Sequence, residues 1–277
     1  MPLSKEAIQH IEANALSAAG REIITETSRL AVLPEAVRIH SLEQYQACRD
    51  RFRGALNTHS LQDFAKYVEC HQQDENLPIA TQGFIDQDAM RATVIFNLGQ
   101  PGLPGHGDDT ATLTLKPTAA YAALLDVIGK ALSQQALAEW LEDWLQNLQA
   151  RAGDAELPML QAINAVRRMT IKAISQRDSN VGDFSASRSA MDEIEAKSQD
   201  TLPSSFLFLT VPFEGLPSAC ITLRLSVITG RDEPLLKLRW VGEEAQREEF
   251  AREFKTVLEK EVGGFAPLTI GTFSLGK

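Results

Sequence analysis

The chain has 277 residues, 44% hydrophobic and 23% charged, a composition that excludes a disordered chain, a collagen-like repeat and a disulfide-stapled miniprotein. Its 37 acidic residues against 27 basic ones leave a formal charge of −10, which disfavours wholesale electrostatic wrapping of nucleic acid. No window approaches the ~18 consecutive apolar residues of a membrane span, and the opening residues carry Glu6 and Glu12 with no hydrophobic run, so neither a span nor a signal peptide is expected.

Ser4 is placed to cap a helix in which Ile8, Ile11, Ala15 and Leu16 share one stripe ending at Gly20. The polar stretch Arg21 to Ser28 separates this helix from the next element. Residues 1–27 therefore read as an N-terminal helical arm, packed on a neighbouring subunit or at the periphery of its own domain, and residues 28–277 as the body. Arg29 to His40 reads as strand, turn, strand, broken at Pro34. Ser60 opens a short helix that buries Phe64, Tyr67 and Val68. Two alternating runs come next, with Ala92, Val94, Phe96 and Leu98 inward on one and Ala111, Leu113 and Leu115 inward on the other. Gly99 to Asp109 joins them as a long-looped hairpin.

The middle is helical. Pro117 suits the first turn of a helix running to Gly129. Ser133 caps the clearest helix, with a stripe of Leu137, Trp140, Leu141, Trp144, Leu145 and Leu148. Two tryptophans one turn apart could form a partner surface, but the spacing favours core. A third helix begins near Pro158 and buries Leu160, Ile163 and Val166.

Strands return in SFLFLTV, ACITLRLSVI and LLKLRW, the last two joined by a turn at Gly230 to Pro234. Gly242 then precedes an amphipathic helix carrying Phe250, Phe254, Val257 and Leu258, stopped by Gly263 and Gly264. The predicted class is α+β: antiparallel strand meanders on either side of a helical middle, with an N-terminal helical arm and a C-terminal amphipathic helix. One mixed sheet, or two subdomains split near residues 150–157, both fit this order.

Chemistry-bearing clusters are few. His106, Asp108 and Asp109 on the glycine-rich Gly105–Asp109 loop have the donor types of a divalent-metal site, or simply the turn chemistry of a solvated loop. No HExxH, GxSxG, P-loop or GxGxxG is present, and no cofactor is expected. Cys70 and His71 adjoin, but a catalytic pair must meet in space. Cys48, Cys70 and Cys220 are odd in number and never spaced as CxxC, which predicts reduced thiols in a cytoplasm. Arg49, Arg51 and Arg53 surround Phe52, and Arg167 and Arg168, with Lys172 and Arg177, lie in a stretch without acids. These arginines are candidates for nucleic-acid contact, or for pairing with acidic faces of the same fold. Asn180 to Ser189 reads as a mobile polar loop.

Four landmarks, LAVLPEAVRIHSLE, GHGDDTATLTLKPTAAYAALL, ALAEWLED and VPFEG, occur in the order found in the YfdQ-like family, which the chain resembles from about residue 28 to residue 262. That family consists of uncharacterised proteins of tailed phages and prophages. Gly105 departs from its pattern, which commonly has an aromatic there. The resemblance implies a phage or prophage origin, expression in the bacterial cytoplasm and encoding near recombination functions, without implying a reaction. The leading expectation is a non-enzymatic protein acting through protein contacts as a homo-oligomer, with a ring or shell as one form and a host protein as a further candidate partner. The rivals are an accessory nucleic-acid binder in phage replication or recombination, and a metal-dependent hydrolase centred on the Gly105–Asp109 loop.

Overall fold

A computed structural model describes residues 4–23, 43–49, 51–71, 80–169, 201–228 and 235–275. The chain divides into two compact units, Met1–Phe52 and Arg53–Lys277. The first holds α1 (Lys5–Ile23) and a 3-10 turn at Glu43–Tyr45. Ser4 opens α1 by accepting a hydrogen bond from the Ala7 N–H at 3.2 Å. The helix runs past Gly20 to Ile23, because a glycine costs a helix only about 1 kcal/mol. The expected arm boundary at residue 27 and the strand pair at 29–40 lie outside the described residues.

The second unit contains, in chain order, β1 (Gly54–Thr58), α2 (Leu61–Cys70), β2 (Gln82–Asp86), β3 (Arg91–Ile95), β4 (Gly99–Gln100), β5 (Leu103–Pro104) and β6 (Asp109–Thr114). Then come α3 (Ala119–Val127), β7 (Ala131–Leu132), α4 (Gln134–Asp143), β8 (Leu148–Ala152), β9 (Ala155–Leu157) and α5 (Met159–Arg168). It closes with β10 (Ser205–Thr210), β11 (Ala219–Ile228), β12 (Leu235–Trp240), α6 (Glu243–Glu261) and β13 (Leu268–Ile270). The fold is α+β. One sheet has the order β1-β6-β3-β2-β13, the other β7-β12-β11-β10-β8-β9.

The second sheet is antiparallel throughout, as expected for β10 to β12. The first is mixed. Its central β2-β3-β6 strands are antiparallel, while β1 runs parallel to β6 and β13 parallel to β2. Those two edge strands pair far along the chain, so they leave no hairpin signal in the sequence. The apolar sides of both sheets and the buried faces of α2 to α6 join one continuous core. The stretch at 150–157 is a hairpin within the second sheet, with Leu148, Ala150 and Leu157 buried in that core, so no subdomain break falls there.

Three helical expectations need correction. α3 starts at Ala119 under a Thr118 cap, whose hydroxyl accepts from the Tyr121 N–H, and ends at Val127 before Gly129; Pro117 instead bridges to Phe213. α4 stops at Asp143, so Leu145 is exposed in a 3-10 turn and Leu148 belongs to β8. Leu160 faces solvent at 70% exposure, because the inward positions of α5 are Ala162, Ile163, Ala165 and Val166. Trp140 is core, stacked on Phe208 with 5.8 Å between centroids, while Trp144 caps the end of α4 half-buried. The turn at Gly230 to Pro234 lies outside the described residues.

Candidate functional site

The hairpin loop between β3 and β6 is held by one buried side chain, Asn97. Its Nδ2 donates to Asp108 Oδ1 at 2.8 Å, and its Oδ1 accepts from the Asp109 N–H at 3.1 Å. The Asn97 carbonyl accepts from Gly107 at 3.1 Å and the Leu98 carbonyl from Gly105 at 2.8 Å, folding the loop back on the strand. A Cβ on Gly105 would overlap the Asn97 carbonyl. The glycine at this position is therefore required by close backbone approach. The tip between these anchors is the two-strand ribbon β4-β5.

Asp109 opens β6 and is 5% exposed, yet its Oδ1 has no hydrogen-bond partner. Burial pushes its carboxyl above the ordinary range, His71 pulls it down, and Asp108 pushes it up. His71, at the end of α2, places Nδ1 at 2.9 Å from the Tyr67 carbonyl, so that nitrogen carries the proton. Its ring stacks on Tyr67 at 3.8 Å and lies 4.9 Å from Phe96. Burial, and then the nearby Asp109, raise the Tyr67 phenol in turn. The end of α2 and the start of β6 thus bring a histidine, a phenol and a carboxyl into one neighbourhood.

Because the folded value of Asp109 lies above the unfolded one, its ionisation opposes folding at neutral pH, and that penalty disappears as pH falls below the unfolded value. Asp109→Asn is therefore expected to stabilise the protein by about 1 kcal/mol at neutral pH, with the advantage vanishing near pH ~4. Urea unfolding at both pH values measures this; a variant less stable at neutral pH would show that the carboxylate is favoured.

The three loop residues proposed for metal do not converge. His106 is exposed, Asp108 is engaged by Asn97 and Asp109 is buried. Among the described residues no group of three or more His, Cys, Asp or Glu side chains is arranged to hold a metal ion. Cys70 is exposed, while His71 turns to Tyr67 and Phe96. Arg49 and Arg51 belong to the first unit, whereas Arg53 begins the second. Arg167 and Arg168 occupy the last turn of α5, where cations suit the helix dipole. Arg167 pairs with Glu142 on α4 at 2.7 Å, an exposed bridge of about 0–1 kcal/mol. Lys172, Arg177 and the loop 180–189 lie outside the described residues.

A second feature was not apparent from the sequence. The turn 211–215 docks on the start of α3: Thr118 donates its N–H to the Pro212 carbonyl at 3.0 Å and its hydroxyl to the Val211 carbonyl at 2.6 Å. Gly215, at φ +89°, lies against Leu61, where a Cβ would come within 2.8 Å. Above this turn a cleft of about 460 Å³ opens, with Tyr121, Phe213 and Phe250 at its apolar side and Arg247 and Arg252 beside them. Tyr121 meets Phe213, Trp240 and Phe250 edge-on at 5.5, 6.1 and 6.0 Å. Arg247 lies 5.3 Å from the Trp240 ring centroid and bonds Glu243. The signal was spread over segments that touch only in three dimensions.

Among the described residues no helix is long and apolar enough to cross a membrane. No curated protein and no solved structure matches the chain. Residues 4–273 match the family DUF2303, described as an uncharacterised conserved protein. That match covers nearly the whole chain, including the Asn97 loop and the turn at 211–215, and the protein belongs to the DUF2303 family.

Proposed function

We propose that this is a phage- or prophage-derived, non-enzymatic protein of the bacterial cytoplasm that works through protein contacts, as a homo-oligomer assembled through its N-terminal helix. The carrying observation is α1. Ile8 and Ile11 are 47% and 55% exposed, and Ala15, on the same stripe, is exposed as well. Most helical stability in proteins comes from burying such a stripe rather than from propensity. A second copy of α1 supplies a self-complementary apolar partner, as in an isologous two-fold contact. The ordered resemblance to phage and prophage proteins supports the setting, and the absence of nucleophile and cofactor motifs supports action through contacts.

Light scattering after size exclusion is expected to give a mass that is a multiple of 30.4 kDa for the wild type, and 30.4 kDa for Ile8→Asp/Ile11→Asp. A wild-type monomer at working concentration would remove the proposal.

A further inference from the structure

The registry of the second sheet assembles cations that lie far apart in the chain. Arg151 on β8 faces Ser205 on β10, Ser205 faces Arg224 on β11, and Arg224 faces Arg239 on β12. Directly paired residues project to the same side, so the three guanidiniums form one row across four adjacent strands. All three residues are exposed. Lys237, two residues from Arg239 along β12 and paired with Ser226, adds a fourth cation to the same side. Among the described residues of the row the carboxylate is Glu156, which faces Arg151 from the short edge strand β9. The opposite side of these strands is core: Ala150, Phe206, Phe208, Ile221, Leu223 and Leu238 are fully buried.

Three observations point to a ligand. The protein carries a net charge of −10, so a face on which Arg151, Arg224 and Lys237 gather, with Glu156 as the carboxylate among the described residues of these strands, runs against its overall balance. Arg224 and Arg239 sit directly across from each other, which places two guanidiniums side by side on this face. Arg239 has a further interaction of its own, and the case rests on Arg151 and Arg224. Adjacent strands are about 4.8 Å apart, so the row presents guanidiniums at intervals of roughly 5–10 Å, a spacing able to follow successive phosphates.

We propose that this face binds the phosphodiester backbone of duplex DNA without reading its sequence. The aromatic residues of the paired strands, Phe206, Phe208 and Trp240, are all buried on the core side. Among the described residues of these strands the outer face therefore has arginines for phosphates but no ring for an unstacked base, which favours a duplex over a single strand. The face is built within the second unit, uses no residue of α1 and does not depend on self-association.

The test is fluorescence anisotropy of the full chain with a short random-sequence DNA duplex and with the matching single strand. Phosphate contacts by Arg151 and Arg224 predict a log–log salt slope of about −2, roughly a 12-fold loss of affinity between ~50 and ~200 mM salt. Arg151→Gln/Arg224→Gln should reduce that slope by about 2. Arg151→Lys/Arg224→Lys, which keeps the charge, should restore it. Urea midpoints of each variant show that the fold is kept. No duplex binding by wild type at low salt, tighter binding of the single strand, or an unchanged slope in the glutamine variant would each overturn the proposal.

Discussion

Alanine in place of Tyr121 is expected to lower the unfolding free energy by about 3–5 kcal/mol, the range for removing a large buried aromatic ring. The side chain is 1% exposed and stands where four separated parts of the chain meet. It belongs to α3, and its ring touches Phe213 of the 211–215 turn, Trp240 at the end of β12 and Phe250 of α6. Edge-to-face pairs add ~0.5–1.5 kcal/mol each beyond area burial, and the cavity left behind would border the cleft already present beneath Arg247. Domains are stable by only ~5–15 kcal/mol, so this one change removes a large share. Urea unfolding measures it, with Tyr121→Phe as the companion that keeps the ring and is expected to lose less than about 1 kcal/mol. A loss below 1 kcal/mol for alanine would mean that the ring cluster does not hold these segments together.

Asn97→Ala is expected to cost about 2–3 kcal/mol by a different mechanism. The side chain bridges Asp108 and the backbone of Asp109, and its deletion leaves the Asp109 N–H without its acceptor in a buried setting. An orphaned buried group loses its full desolvation energy rather than the small net worth of a hydrogen bond. Hydrogen exchange should report the loss locally, with protection falling at the Gly105 and Gly107 amides that fold the loop onto Leu98 and Asn97. Asn97→Asp sharpens the test. It sets a third carboxylate beside Asp108 and Asp109, so it should be worst at neutral pH and recover in acid as those groups protonate. If both variants melt like the wild type, the loop is held by its backbone contacts alone.

Much of the secondary structure was legible because local rules were obeyed. Ser60 and Ser133 cap their helices through the Asp63 and Ala136 amides, as their positions suggest. The alternating strands β3, β6, β11 and β12 turn Ala92 and Val94, Ala111 and Leu113, Ile221, Leu223 and Leu225, and Leu236, Leu238 and Trp240 inward, whereas Leu209 of β10 and Ile228 at the end of β11 are exposed. The overextension of α4 has a specific cause: Leu145 and Leu148 happen to continue its helical spacing beyond Trp144. The competing signal was Gly153-Asp154, a two-residue turn with Gly153 at φ +61°, a conformation suited to the first position of a type II′ hairpin.

The sites were less legible, because they depend on pairing between distant strands. The glycines around His106 suggest a ligand cradle, whereas at Gly105 the glycine serves close backbone packing onto Asn97. Asn97 itself gives no signal, being one polar residue at the end of an apolar run. Arg167 and Arg168 stand out because they are neighbours in sequence. Arg151, Arg224 and Arg239 become neighbours only once the register of four strands is known.

The placement of β13 bears on how the chain is made. Leu268 to Ile270 pair in parallel with Gly83 to Ile85, and the Gly83 N–H also binds the Pro267 carbonyl. While the ribosome is still translating the intervening residues, β2 has no partner on that side and presents an open edge of backbone donors and acceptors. Such edges template intermolecular pairing, and distant pairings form late. A nascent chain stalled between β2 and β13 should therefore recruit holdase chaperones and aggregate when they are depleted. Release of the completed strand is the step that closes this edge.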